Sequence, residues 1–177
     1  VTETLPLDLE CQSATFSKCG LYRYDLRRIW RPDARPLLWI MLNPSTADAV
    51  VDDPTVKRCT RFAVQWGHGG IVVCNLFAFR STKPEGLLTV DDPVGLDKND
   101  EVIAREAAEA YQVVVAWGSH GDFMGRGRQV YELIREKVGR SPLCLGTTKA
   151  GEPRHPLYVP KTKELRLFYG YDDKNKS

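Results

Sequence analysis

No two of the five cysteines stand in a C-x-x-C arrangement, and their number is odd. Cys11, Cys19, Cys59, Cys74 and Cys144 therefore do not read as a disulfide framework, a zinc ribbon or an iron–sulfur cluster. Cys59 and Cys74 lie in apolar segments and read as small core residues. Neither a metal nor a cofactor is implied. No apolar run approaches the roughly 20 residues that span a bilayer. The first residues lack a basic-then-apolar signal pattern. The expectation is a cytoplasmic protein with no membrane partner. Net charge is only +2, which does not indicate a strongly basic nucleic-acid binder. Internal repeats, low-complexity tracts and a linker to a second domain are also lacking.

What is present is ordinary for one globular domain. The chain has 177 residues, 42% hydrophobic and 27% charged, enough for a sizeable core. Charge is unevenly spread. Lys18, Arg23, Arg27, Arg28, Arg31 and Arg35 face only Asp25 and Asp33 in their segment. Lys57, Arg58 and Arg61 form a second cluster, and Arg126 and Arg128 a third. Such clusters are either solvated faces or a few phosphate contacts whose strength falls with salt.

Strands alternate with helices along the chain. Tyr22, Tyr24 and Leu26 alternate with charged residues at period two, predicting a half-buried strand in an N-terminal antiparallel hairpin. Apolar runs predict strands near 37–42, 71–75, 113–117 and 143–145. Asp53-Pro54 reads as a helix cap with proline at the first helical position. Helices are also predicted near 98–110 and from about 128 to Gly139. The loop from Phe77 to Leu96 is long enough to suggest a functional role. The expected fold is α/β: a three-layer α/β/α sandwich around a mostly parallel, four-stranded central sheet, plus the N-terminal hairpin. Residues 1–177 read as a single domain, with a core at about 37–168, a hairpin extension at 1–36 and a frayed tail at 172–177.

Each predicted core strand ends in groups suited to a polar, planar ligand. The first ends in Asn43-Pro44-Ser45, the second in Asn75 followed by Leu76 and Phe77, and the third in Trp117-Gly118-Ser119. Arg154-His155-Pro156-Leu157-Tyr158 follows the last. In open parallel sheets, ligands bind outside the carboxyl ends of the strands. An asparagine there offers both an acceptor and a donor to a nucleobase edge.

This set resembles the uracil-DNA glycosylase superfamily. Met41-Leu42-Asn43-Pro44-Ser45 is similar to the motif ending its first apolar strand, and Val73-Cys74-Asn75-Leu76 to the strand whose asparagine reads the base. Phe79-Arg80-Ser81-Thr82 looks like the continuation in the thymine-mismatch branch. Ala116-Trp117-Gly118-Ser119 and His155-Pro156-Leu157-Tyr158 match later motifs, in order, across roughly residues 37 to 160. The whole chain also resembles a widespread bacterial and phage family of unassigned function. Its marks are N-P-S-T-A-D, D-D-P-T, N-L-F-A-x-R, A-W-G and a terminal H-P-L-Y.

The superfamily resemblance implies hydrolysis of the N-glycosidic bond of a flipped-out nucleotide in DNA, leaving an abasic site. By the same resemblance, His155 donates to the departing base and Asn43 positions the water, while Asp48, in the same loop, is available to polarise it. Asn75 reads the base and Phe77 stacks on it. Arg126, Arg128 and Arg154 hold flanking phosphates, and Leu157 and Tyr158 wedge the vacated stack. Asp52 and Asp53 read first as caps of the following helix. Ser45 stands where the uracil-specific branch carries a bulky aromatic that guards the 5-position. A small residue there implies a 5-modified pyrimidine, such as a hydroxymethylated or glucosylated base of phage DNA, and a part in antiviral defence. No obligate protein partner is implied, and a monomer is expected. Two alternatives stay open: a hydrolase of a free modified nucleotide or nucleoside, and a non-catalytic module that binds modified bases.

Overall fold

The computed structural model describes residues 8–171. The tail at 172–177 and the first seven residues of the N-terminal extension lie outside the described residues. In chain order the elements are β1 (Cys11–Phe16), β2 (Arg23–Ile29), β3 (Leu37–Met41), α1 (Pro54–Gln65) and β4 (Gly70–Asn75). They continue with α2 (Leu96–Glu109), β5 (Val113–Val115), α3 (Arg126–Val138), β6 (Leu143–Cys144) and β7 (Arg166–Leu167). Short 3-10 turns cover Pro84–Thr89, Phe123–Gly125 and Pro156–Tyr158.

The sheet corrects the expected architecture. It is one seven-stranded mixed sheet in the order β1-β2-β4-β3-β5-β6-β7, not a four-stranded, mostly parallel sheet with a separate hairpin. The pairs β3–β4, β3–β5 and β5–β6 are parallel. The pairs β1–β2, β2–β4 and β6–β7 are antiparallel. The reason lies at the edges. The side of β4 away from β3 carries backbone groups that need partners. β2 supplies them, with Leu26 opposite Val73 and Arg28 opposite Ile71. The two-residue β7 does the same for β6, and a segment that short has no periodicity to read.

Helices cover both faces. Val56, Cys59, Phe62 and Ala63 of α1 pack on Leu37, Trp39, Met41, Ile71, Val73 and Val114. Val102, Ile103 and Ala107 of α2 and Val130, Tyr131 and Ile134 of α3 pack on Leu38, Ile40, Val72, Cys74, Val113 and Val115. The alternation along β3 and β4 thus splits their side chains between two cores. Complete burial of one large apolar side chain stabilises by about 1.5–3 kcal/mol. The α1 start follows the sequence: Asp53 caps it by accepting from the Val56 N–H at 2.9 Å, and Pro54 takes the first turn.

β2 departs from simple alternation. Thr15 pairs with Asp25 but Phe16 pairs with Arg23, so Tyr24 is an extra residue on β2. Tyr24 consequently packs against the α2–α3 core, while Leu26 lies in the α1 core. Arg23, Asp25 and Arg28 are all buried, against the expectation that the charged set would face solvent. An interior strand is covered on both faces, so its polar residues must find partners inside. Arg28 does so with Asp52 at 2.8 Å and with the carbonyl of Asp48 at 2.7 Å. No helix among the described residues is long and apolar enough to cross a membrane.

Candidate functional site

β3, β4 and β5 run parallel, so their carboxyl ends open on the same side of the sheet. Met41 and Asn75 are in register, which sets the Asn43 loop beside the end of β4. A cavity of about 480 Å³ lies there. Its walls include Asn43, Ser45, Asn75, Trp117, Gly118, Ser119 and His155 from the strand-end segments. Asp53, Thr55 and Val56 close one side from the start of α1, and Arg23 enters from β2. Ser81, Thr82 and Pro84 of the long loop also line it, as do Arg154, Leu157 and Tyr158. The volume falls within the range of small-molecule sites.

Asn43 is fixed by its amide nitrogen, which donates to the carbonyls of Ser81 at 2.8 Å and Pro44 at 3.1 Å. That bonding sets the flip of the amide and leaves Oδ1 as the acceptor for a ligand or water. The Ser81 N–H returns a bond to the Pro44 carbonyl at 2.9 Å, clamping the long loop to the strand end. Asn75 is only 1% exposed, and its Nδ2 has no hydrogen-bond partner among the described residues. A buried donor left this way costs about 1–3 kcal/mol. Its backbone is held firmly: Asn99 Nδ2 donates to the carbonyls of Asn75 at 3.0 Å and Leu76 at 3.1 Å.

His155 precedes the 3-10 turn at Pro156–Tyr158, and its Nδ1 accepts the Leu157 N–H at 3.3 Å. A neutral ring so bonded carries its proton on Nε2. Burial lowers the His155 pKa to about 4, against an opposing pull from Asp53. The ring is therefore neutral at physiological pH. Arg58 of α1 donates to the carbonyls of Pro156 at 3.2 Å and Val159 at 2.6 Å, which ties this turn to the helix. Gly118 has a φ of +76°, and its N–H donates to the Pro153 carbonyl at 2.8 Å, drawing the His155 segment against the end of β5.

Four expected site residues stand elsewhere. Asp48 accepts from the N–H groups of Val50 and Val51, which lower its pKa, and it does not line the cavity. Two backbone donors on Oδ1 make it a turn residue, held apart from the cavity wall. Phe77 is fully buried in the α2–α3 core, 5.4 Å from the Phe123 ring, and is unavailable for stacking. Arg126 is buried, bonding the Leu76 carbonyl at 3.2 Å and 3.1 Å and pairing with Asp100 at 2.6 Å. Arg128 lies over the Tyr171 ring at 5.2 Å, on α3, across the sheet from α1. The helix carrying both arginines packs on the sheet face opposite α1, and neither arginine lines the cavity.

Leu157, Tyr158 and Arg154 are at the rim. Leu157 is 42% and Tyr158 79% exposed. Arg154 is exposed and its Nε donates to the Thr147 carbonyl at 2.9 Å. Leu157 also borders a groove of about 340 Å³ with Pro54, Lys57, Arg58 and Arg61. The second basic cluster therefore adjoins the cavity mouth.

Arg23 and Asp53 are wall residues that sequence reasoning did not assign to the site. Arg23 is 2% exposed, its Nη1 donates to the Ala47 carbonyl at 2.8 Å, and its Nε has no hydrogen-bond partner among the described residues. Burial lowers its pKa to about 10, and the Asp53 charge opposes the shift. Asp53 is the one carboxylate among the described wall residues. Its D-P cap signature was visible in the sequence, but not its second surface. Nothing in the sequence signals the bulge that turns Arg23 inward.

A family model described as "Protein of unknown function (DUF1643)" matches residues 23–157. No curated protein and no solved structure matches the chain.

Proposed function

The chain belongs to the DUF1643 family, and we propose that this member is a DNA glycosylase of uracil-DNA glycosylase type acting on a 5-modified pyrimidine. The observation that carries the reading is that Asn43, Asn75 and His155, from three separate segments, line one cavity together with Ser45. The unpartnered Asn75 Nδ2 supports it, because a base carbonyl is the acceptor such a donor needs. The small Ser45 side chain in the wall leaves space for a group on the pyrimidine 5-position.

In this mechanism the C1′–N1 bond breaks with its electron pair going to the base. The neutral His155 donates from Nε2 to a base oxygen as negative charge develops. One such donor contributes about 3–4 kcal/mol to the barrier reduction. Asn43 Oδ1 accepts a hydrogen bond from a water that adds at C1′. The proton this water gives up is taken by the departed base anion, leaving a neutral free base and an abasic sugar. Asp53, in the wall where Asp48 is not, stabilises the positive charge on the sugar. Leu157 and Tyr158 at the rim fill the vacated stack, and the Lys57 groove beside them carries flanking phosphate. Modified pyrimidines of this kind occur in phage DNA, which supports a part in antiviral defence.

The test is incubation with DNA carrying uracil, thymine mismatches, 5-hydroxymethyl or glucosylated pyrimidines. Alkali-sensitive cleavage at a 5-modified base is the expected result. Asn43→Ala and His155→Ala should each lower release by about 100-fold or more while keeping the thermal midpoint of a folded protein. Cleavage at none of these bases would sink the reading. Base release from a nucleotide without salt-dependent DNA binding would instead select a free-nucleotide hydrolase. Tight binding of modified DNA without release would select a binding module.

A further inference from the structure

Two residues that line the cavity, Asn75 and Arg23, each carry a buried side-chain donor, Nδ2 and Nε, with no partner among the described residues. Both residues are more than nine-tenths buried. The proposed reaction uses only the first. Arg23 is unusual for a wall residue, because it is cationic and comes from an antiparallel strand outside the strand-end motifs. Its Nη1 is anchored on the Ala47 carbonyl, in the same loop as Ser45 and two residues beyond it. The guanidinium is thus tied to the wall segment that admits a 5-substituent. The nearby charge of Asp53 acts on Arg23, so a ligand need not be anionic to balance it. A neutral oxygen acceptor is sufficient, and a guanidinium donor bonds one well.

We infer that Arg23 is a specificity residue that donates to an oxygen on the 5-substituent, while Asn75 donates to the base itself. The inference rests on the proposed function for the position of the substituent. It narrows the substrate from any 5-modified pyrimidine to one whose 5-group carries an acceptor oxygen, such as hydroxymethyl or formyl. A bare methyl offers the Arg23 guanidinium no acceptor, and a site built to bond an oxygen rejects the analogue lacking it.

The test is calorimetric binding of three deoxyuridines to the full chain: 5-hydroxymethyl, 5-formyl and 5-methyl. The oxygen-bearing pair should bind at least about tenfold tighter than the methyl compound, the size of one hydrogen bond to a charged group. Arg23→Gln should bring the three affinities together. Equal affinities in the unaltered protein, no binding by any of the three, or an equal loss on all three in Arg23→Gln would overturn the assignment. Should Arg23→Gln fail to fold, the preference of the unaltered protein decides alone. Base release from DNA carrying the same three bases separates this inference from the reaction. Release that is indifferent to the 5-oxygen sinks the Arg23 role and keeps the glycosylase. Selective binding without release does the reverse.

Discussion

His155 shows how much one residue's environment decides. Its Nδ1 is taken by a backbone N–H, and burial lowers its pKa to about 4. Both effects hold the ring neutral with a proton on Nε2, the form that donates without carrying charge. In the unfolded chain a histidine titrates near 6.5. Below about pH 6.5 the unfolded state therefore binds a proton that the folded state refuses, and stability falls as pH drops toward about 4. Below about 4 both states are protonated and the loss stops. Urea midpoints at about pH 7 and pH 5 should differ more for the unaltered protein than for His155→Asn. A difference of the same size in both would remove the buried neutral histidine. Base release, by contrast, should hold steady from about pH 7 down to about pH 5, since the folded ring keeps one protonation state over that range.

At the scale of elements, sequence reading succeeded where period and punctuation were strong. The apolar run before Asn43 is β3, and Asp53-Pro54 opens α1 with the capping bond its spacing implies. The strand-end asparagines and His155 line one cavity. What stayed hidden depends on contacts between distant segments. The bulge at Tyr24 reverses the facing of Arg23, and β2 becomes interior only because β4 needs a second partner. Phe77 and Arg126 have the chemistry of site residues, but the faces they occupy belong to the α2–α3 core. Arg126 instead joins Asn99 in bonding the carbonyls that end β4. Its partner Asp100 is 45% exposed, so the ion pair itself contributes little. The buried carbonyl bonds matter more. Arg126→Gln should therefore destabilise by about 2 kcal/mol, through lost bonds to the Leu76 carbonyl. Denaturant unfolding measures that directly. A variant of unchanged stability, but with weaker salt-dependent DNA binding, would return Arg126 to a surface role.

On the scale of the whole molecule, the mixed sheet lets two kinds of strand build one site. Parallel β3, β4 and β5 present their carboxyl ends together, and antiparallel β2 brings a buried cation in beside them. The same layout decides where a nucleic acid strand would lie. A net charge of +2 supplies no general attraction, so the proposed function would require the local field around the cavity to do so. α3 is across the sheet, whereas the groove of Lys57, Arg58 and Arg61 shares Leu157 with the cavity. Within that groove Arg58 is committed to the turn after His155, with its guanidinium bonded to two carbonyls. Lys57 is exposed and holds no such post, so it is the residue whose loss reports phosphate contact without disturbing the site. Lys57→Gln should weaken DNA binding by a similar factor for every base in the cavity. It should also lower the slope of log affinity against log salt by about one. Arg128→Gln, on the far face, should leave that slope as it is. Binding titrations at several salt concentrations measure both. A slope that drops for Arg128→Gln and not for Lys57→Gln would move the nucleic-acid path to α3, and would separate it from the cavity mouth that Leu157 and Tyr158 surround.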